Sequence, residues 1–240
     1  MIGVTTVKTV ILACQTIRDE VELVLQQLDI SYPVVYMESG LHSSPELLHQ
    51  KVQEQIDALD TADVILMVYG CCGNGLIGIK STKAKLVIPR IDDCISLLLG
   101  SIKERESIPN VVSTYFITKG WLDPEGNVMW SYREWVERYG EQKALRITKK
   151  MLHNYTRFLI IDTGAYNIEI IMPKIKEFCK TFTMQCDVTP GSLRLLRLLL
   201  TGPWGSEFII LNPGQETSLS DFYPILASER TKKSTSSIIT

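Results

Sequence analysis

Short apolar, β-rich runs alternate with longer amphipathic stretches along nearly the whole of this 240-residue chain. This alternation constrains the fold most, because strand–helix–strand units lay successive strands parallel and pack their crossover helices on the sheet faces. Lys8–Cys14, Pro33–Met37, Val64–Tyr69 and Lys85–Pro89 read as the first four strands. Ile17–Leu28 reads as a helix with Ile17, Val21, Val24, Leu25 and Leu28 on one face. Ser44-Pro45-Glu46 supplies an N-cap, a first-turn proline and an early acid for a helix reaching about Leu59. Asp92–Leu99 reads as a third helix, stopped by Gly100. Beyond it, Ser113–Thr118, Phe158–Asp162, Phe182–Val188 and Phe208–Leu211 read as strands. Ser131–Asn154, Asn167–Lys180 and Ser192–Leu200 read as helical. The expectation is an α/β, three-layer sandwich with a mainly parallel, Rossmann-like sheet. Residues 1–226 are expected to form a single domain, with a possible lobe break in the polar stretch 101–110. The Ser/Thr/Lys-rich residues 227–240 read as a flexible tail.

Composition narrows the function classes. A chain of this length buries roughly 70% of its extended surface and needs no staples to fold. Hydrophobic residues at 45% and charged residues at 22% exclude disordered and fibrous classes. A net charge of −2 leaves no basic footprint, so nucleic acid is not an expected partner. No apolar run is long enough to span a membrane, and Val10–Cys14 is too short for the core of a signal peptide. The expected compartment is the cytoplasm, where the six cysteines are thiols, ligands or nucleophiles in preference to disulfides.

In an open parallel sheet, ligands bind at the carboxyl ends of the strands. Strand one ends at Cys14, strand two is followed by His42, strand three runs into Cys71-Cys72, and strand four into Asp92-Asp93-Cys94. Thiolate and imidazole are the donors that zinc and iron–sulfur clusters take. Cys14, Cys72 and Cys94, with His42 as a fourth ligand or an acid/base group, therefore form a candidate metal set for either one. The competing reading is that Cys14 and Cys94 pack as small hydrophobes and His42 caps a turn. Cys179 and Cys186 read as packing residues.

Gly73-Asn74-Gly75-Leu76-Ile77-Gly78 matches a dinucleotide fingerprint after a strand, with Asp92 and Asp93 downstream. Too few residues separate Gly78 from the next strand for a full helix, so a glycine loop shaping a cysteine site is the alternative. Gly73, Asn74 and Gly75 are its cofactor-binding candidates. One of Asp92 and Asp93 should cap the following helix, leaving the other as a general base or ligand-orienting carboxylate; Asp93 is the catalytic candidate. Lys119, after the fifth strand, is placed to meet an anionic small-molecule substrate, and Trp121 to wall a pocket. Asp162–Asn167 fits a polar rim or a simple turn. No nucleophile elbow, Walker lysine or HExxH occurs.

The stretches Ala13-Cys14, Glu38–Pro45, Tyr69–Gly75, Ile91–Gly100 and Thr114–Trp121 resemble the family named domain of unknown function 1638. The resemblance reaches to about residue 210 and is strongest in the first half. In the family's Tyr-Gly-x-Cys-Gly loop the cysteine corresponds to Cys72, which makes Cys71 the variable neighbour. The resemblance thus implies the set Cys14, His42, Cys72 and Cys94. It also implies a link to anaerobic one-carbon and corrinoid methyl-transfer metabolism. Three functions follow as expectations: a metal- or cluster-dependent enzyme acting on a small molecule; an accessory protein for a corrinoid or methyltransferase partner; and a nucleotide-binding protein using the glycine loop.

Overall fold

The computed structural model describes residues 7–122 and 127–223, so the tail expected over residues 227–240 lies outside the described residues. Its elements in chain order are β1 (Thr9–Cys14), α1 (Arg18–Leu28), β2 (Val34–Met37), α2 (Pro45–Ala58), β3 (Val64–Val68), β4 (Lys85–Pro89), α3 (Cys94–Leu99) and α4 (Ile102–Ser107). There follow β5 (Thr114–Ile117), α5 (Val128–Tyr139), α6 (Glu141–Met151), β6 (Arg157–Asp162), α7 (Ile168–Phe182), β7 (Gln185–Pro190), α8 (Arg194–Thr201), β8 (Phe208–Leu211) and α9 (Leu219–Phe222). The Rossmann-like α/β architecture is present.

The strands divide between two sheets. The first has the order β2-β1-β3-β4-β8, and the second β5-β6-β7. All pairings are parallel except β4 with β8, which runs antiparallel from Leu86↔Leu211 to Pro89↔Phe208. Because β8 takes the free side of β4, the parallel series stops there and β5 begins a sheet of its own.

Three apolar cores hold the layers together. Between the sheets, α1, α3 and α8 bury Val21, Val24, Leu98, Leu196 and Leu199 together with Phe116, Leu159 and Ile161 of the second sheet. On the far face of the first sheet, Leu48, Val52 and Ile56 of α2 pack against Leu12, Ile65 and Met67. On the far face of the second, Ile171, Ile175 and Phe178 of α7 cover Phe158 and Ile160.

Local signals act as their chemistry requires. The Ser44 hydroxyl accepts from the Leu47 amide with Pro45 in the first turn. α3 is capped by Asp93 and stopped by Gly100. The long charged helical stretch splits at Gly140 into α5 and α6. Phe182 closes α7 instead of opening a strand, so β7 starts at Gln185. α4 lies within the stretch expected to be an irregular connection.

No helix joins β3 to β4. Residues 70–84 run as turns, and Leu76 and Ile79 plug the space above α2 that a crossover helix would fill. Thr217, from just before α9, pins this connection. Its carbonyl accepts from Gly78 N (2.8 Å), its amide donates to Ile79 O (3.0 Å), and its hydroxyl accepts from Ile79 N (2.9 Å) and donates to Leu76 O. The Gly73–Gly78 loop therefore lacks the helix whose N-terminus carries the pyrophosphate in a dinucleotide site.

Candidate functional site

At the carboxyl ends of β1 to β4 the chain makes four short departures, and these build one side of a cavity of about 290 Å³. Thr16 follows β1, His42 follows β2, Cys72 and Gly73 follow β3, and Asp93 and Cys94 follow β4. Tyr115 and Phe116 of β5, with Trp121 and Asn127 beyond it, supply the opposite wall. The cavity lies where loops of the first sheet meet the second sheet.

Close backbone approach holds the thiol loop in place. A Cβ on Gly70 would lie 2.8 Å from the Asp93 backbone, so only glycine lets the β3 and β4 exits touch. Cys71 N then donates to Ile91 O (3.0 Å) and Cys72 N to Asp92 O (2.7 Å). Cys72 sits in the left-handed region at φ +46, which turns its side chain toward the cavity while Cys71 points into the core. At the second wall, a Cβ on Gly120 would lie 1.8 Å from the Thr16 carbonyl oxygen. The turn carrying Trp121 is thereby seated directly on the turn after β1.

Three thiols share one electrostatic environment. The Tyr69 hydroxyl is buried beside the Cys14 thiol, and Cys14, Cys72 and Cys94 all act on it. Cys14 Sγ lies 3.0 Å from Thr16 Oγ1, which itself lines the cavity. Burial raises all three thiols, Cys72 to about 12 and Cys94 well above its ordinary value, and their mutual repulsion adds to this for Cys72 and Cys94. Burial lowers His42, with Asp93 opposing it. Asp93 is raised by burial and by Asp92, against the pull of Arg105.

Arg105 binds both carboxylates. Its Nη1 donates to Asp92 Oδ2 at 2.7 Å and to Asp93 Oδ2 at 2.9 Å. Asp93 is the cap of α3, with Oδ1 accepting from Ile95 N (2.9 Å) and Ser96 N (3.3 Å). It does this while facing the cavity, so the capping acid is also the one that lines the candidate site.

Of the expected site residues, His42, Cys72, Gly73, Asp93 and Cys94 line the cavity, and Cys14 adjoins it through Thr16. Trp121 forms a wall as its position suggested. Asn74 and Gly75 stand apart: the Asn74 side chain accepts from the Cys71 thiol, and Gly75 packs on Leu48. Lys119 also lies outside, in an adjoining recess, with Nζ 2.8 Å from Asp19 Oδ2. In Asp162–Asn167, Asp162 and Asn167 close a turn and cap α7, while the Thr163 hydroxyl donates to the buried Glu20 carboxylate at 3.0 Å. Cys179 and Cys186 belong to the second sheet's far core.

Sequence reasoning missed Tyr69, Arg105 and the Tyr115–Phe116 wall. Ser101 and Glu104 form the Ser-x-x-Glu spacing that marks a helix start, and Ser101 Oγ does accept from Glu104 N at 3.1 Å. That signal would have found α4 and drawn attention to Arg105. Among the described residues no three His, Cys, Asp or Glu side chains are grouped so as to hold a metal ion as they stand. None of the helices is long and apolar enough to cross a membrane among the described residues.

Comparison with curated proteins and with solved structures returned no match. A family profile described as "Protein of unknown function (DUF1638)" matches residues 36–200. The match takes in His42, Cys72, Asp93, Cys94 and Lys119 and begins after Cys14. It spans well over half of the chain, and the protein therefore belongs to the DUF1638 family.

Proposed function

We propose that this protein is a small-molecule enzyme whose reaction centre is a metal group held by Cys14, Cys72 and Cys94 at the carboxyl edge of the first sheet. One observation carries the reading: thiols from three different strand ends gather at one place, Cys72 and Cys94 lining the cavity and Cys14 lying 3.0 Å from Thr16 on its wall. Neutral buried thiols that repel one another when ionised become favourable donors once a metal cation displaces their protons, which are released to a base or to water. The donors are not drawn tightly around one point. An iron–sulfur cluster, in which different irons take different thiolates, or a single zinc would use these donors. Such a group, with one position open, supplies a Lewis-acid site for a small substrate. His42, facing the cavity, is the proton acceptor, and the Asp93 carboxyl on the same side favours its charged form.

The cavity, at about 290 Å³, sits at the lower end of ligand-pocket sizes. It suits a small molecule walled by Trp121 and Phe116 and is too small for a corrinoid ring. An accessory role toward a methyltransferase would have to use a different surface.

Metal and sulfide analysis after anaerobic purification is the direct test. Iron with sulfide supports the cluster, zinc alone supports the mononuclear form, and neither metal sinks the proposal. Cys72→Ser should remove most of the bound metal and leave the fold intact, since serine is a far poorer ligand for a soft metal. Cys71→Ser should leave the metal content near wild type, because that thiol is buried in the core beside α2. Equal loss from both would mean that the site is not organised around Cys72.

A further inference from the structure

Beside the thiol cavity lies a second recess of about 430 Å³, and the two share Thr16. The same three loops build both. The turn after β1 gives Gln15 and Arg18 to the recess, the segment after β2 gives Ser39, and the turn after β5 gives Lys119. The next residues of those loops, Gly40, His42 and Trp121, face the cavity. Thr16 lines both compartments, so they adjoin at the turn after β1.

The two compartments differ in chemistry. The cavity presents thiols, an imidazole, aromatic rings and Asp93; the nearby cation, Arg105, is already bound to Asp92 and Asp93. The recess presents a guanidinium, an ammonium, an amide and a hydroxyl, with Asp19 as its single acid. Both cations are held in position. The Arg18 guanidinium lies 3.9 Å from the centre of the Tyr36 ring and donates to Gln15 Oε1 at 3.0 Å. Lys119 is held by Asp19 at 2.8 Å. In a chain of net charge −2, two fixed cations beside the candidate site form a local positive field.

We infer that this recess is the anchoring subsite for an oxyanion, carboxylate or phosphate, at the far end of the small substrate whose other end reacts in the thiol cavity. The inference rests on the function proposed above. The anion takes the ammonium of Lys119 in competition with Asp19, and the Arg18 fork meets it in the planar, two-donor geometry that oxyanions favour. The anchor sets substrate length and places the reacting end under Trp121.

A pair of probes tests this on the full chain: 3-mercaptopropionate and 3-mercaptopropanol, equal in length and thiol but differing in the oxyanion. Binding is followed by amide chemical shifts at Gln15, Ser39 and Lys119 for the recess and at Cys72 and Cys94 for the cavity. The acid should bind about tenfold more tightly than the alcohol and move both sets of signals. Arg18→Gln combined with Lys119→Gln should abolish that preference, whereas Asp19→Asn should increase it by removing the competing carboxylate. Inorganic phosphate should move the recess signals alone, and comparison with acetate tells whether a phosphate or a carboxylate is preferred. Equal binding of acid and alcohol, or a preference that survives the double substitution, overturns the inference. Absence of iron and zinc from the anaerobically purified protein would overturn the metal proposal, and an acid preference measured in that same protein would leave the anion subsite standing.

Discussion

Replacing Glu20 with glutamine should stabilise the protein by about 3 kcal/mol above pH 7 and remove most of the fall in stability that the wild type shows between pH 5 and 7. Glu20 is 1% exposed, on the first turn of α1, where it faces the loop after β6. The Thr163 hydroxyl donates to its carboxylate, and the residue's own backbone N–H favours the charged form as well. Burial pushes the carboxyl up from 4.5 to about 7, Asp19 adds to the shift, and Thr163 and Lys119 oppose it. Between those two values the folded chain keeps a proton that the unfolded chain has lost, so stability falls as pH rises through the window. Above it the folded protein carries a buried carboxylate with little to balance it. Glutamine keeps the shape and can still accept from Thr163 without the charge. Urea unfolding of both proteins from pH 5 to 8 provides the measurement, and parallel curves would reject this account of Glu20.

A second large effect is expected from a methyl group. Gly120→Ala places a Cβ 1.8 Å from the Thr16 carbonyl oxygen, and the obstacle is backbone, which cannot rotate aside. Either the substitution destabilises the fold by about 3 kcal/mol, or the 119–121 turn lifts from the turn after β1. In both cases Trp121 leaves the cavity wall and small-molecule binding there should drop by at least about tenfold. Gly205→Ala is the control, since nothing lies within 4 Å of a Cβ at that position. It should be neutral or stabilise slightly by restricting the unfolded chain. If Gly120→Ala unfolds at the same midpoint as Gly205→Ala and binds small molecules equally well, the seating of the second wall on Thr16 is wrong.

The parts of the site that could be read from sequence are those set by local chemistry. Ser44-Pro45 marks a helix start whatever lies elsewhere, and strand ends followed by Cys14, Cys72 and Cys94 must meet along one sheet edge if β1 to β4 are parallel neighbours. The division into two sheets could not be read this way. Alternating strands and helices look alike whether a sheet continues or a new one begins, and the break depends on Phe208–Leu211 returning to pair with β4. Arg105 was hidden for a related reason: its meaning comes from Asp92 and Asp93, on a different helix start. Tyr69 reads as the last apolar residue of a strand, and only the packed thiols around it give its hydroxyl significance. Lys119 does follow β5 at the expected edge. The Gly120 contact turns it to the outer side of Thr16, so it serves the recess and not the cavity.

The clasp at Thr217 bears on the order in which the protein matures. A chain emerges from the ribosome amino end first, and β1 to β4 can pair while the later residues are still unmade. The loop bearing Cys72, however, is tied at its far end by a residue 138 positions beyond Ile79. In the nascent protein the four strands would exist with that loop untethered and Leu76 and Ile79 uncovered by Phe222. The loop that carries Cys72 therefore takes its final form only after residue 217 has been made, and a premature stop before Thr217 would yield the four strands with that side of the cavity untethered.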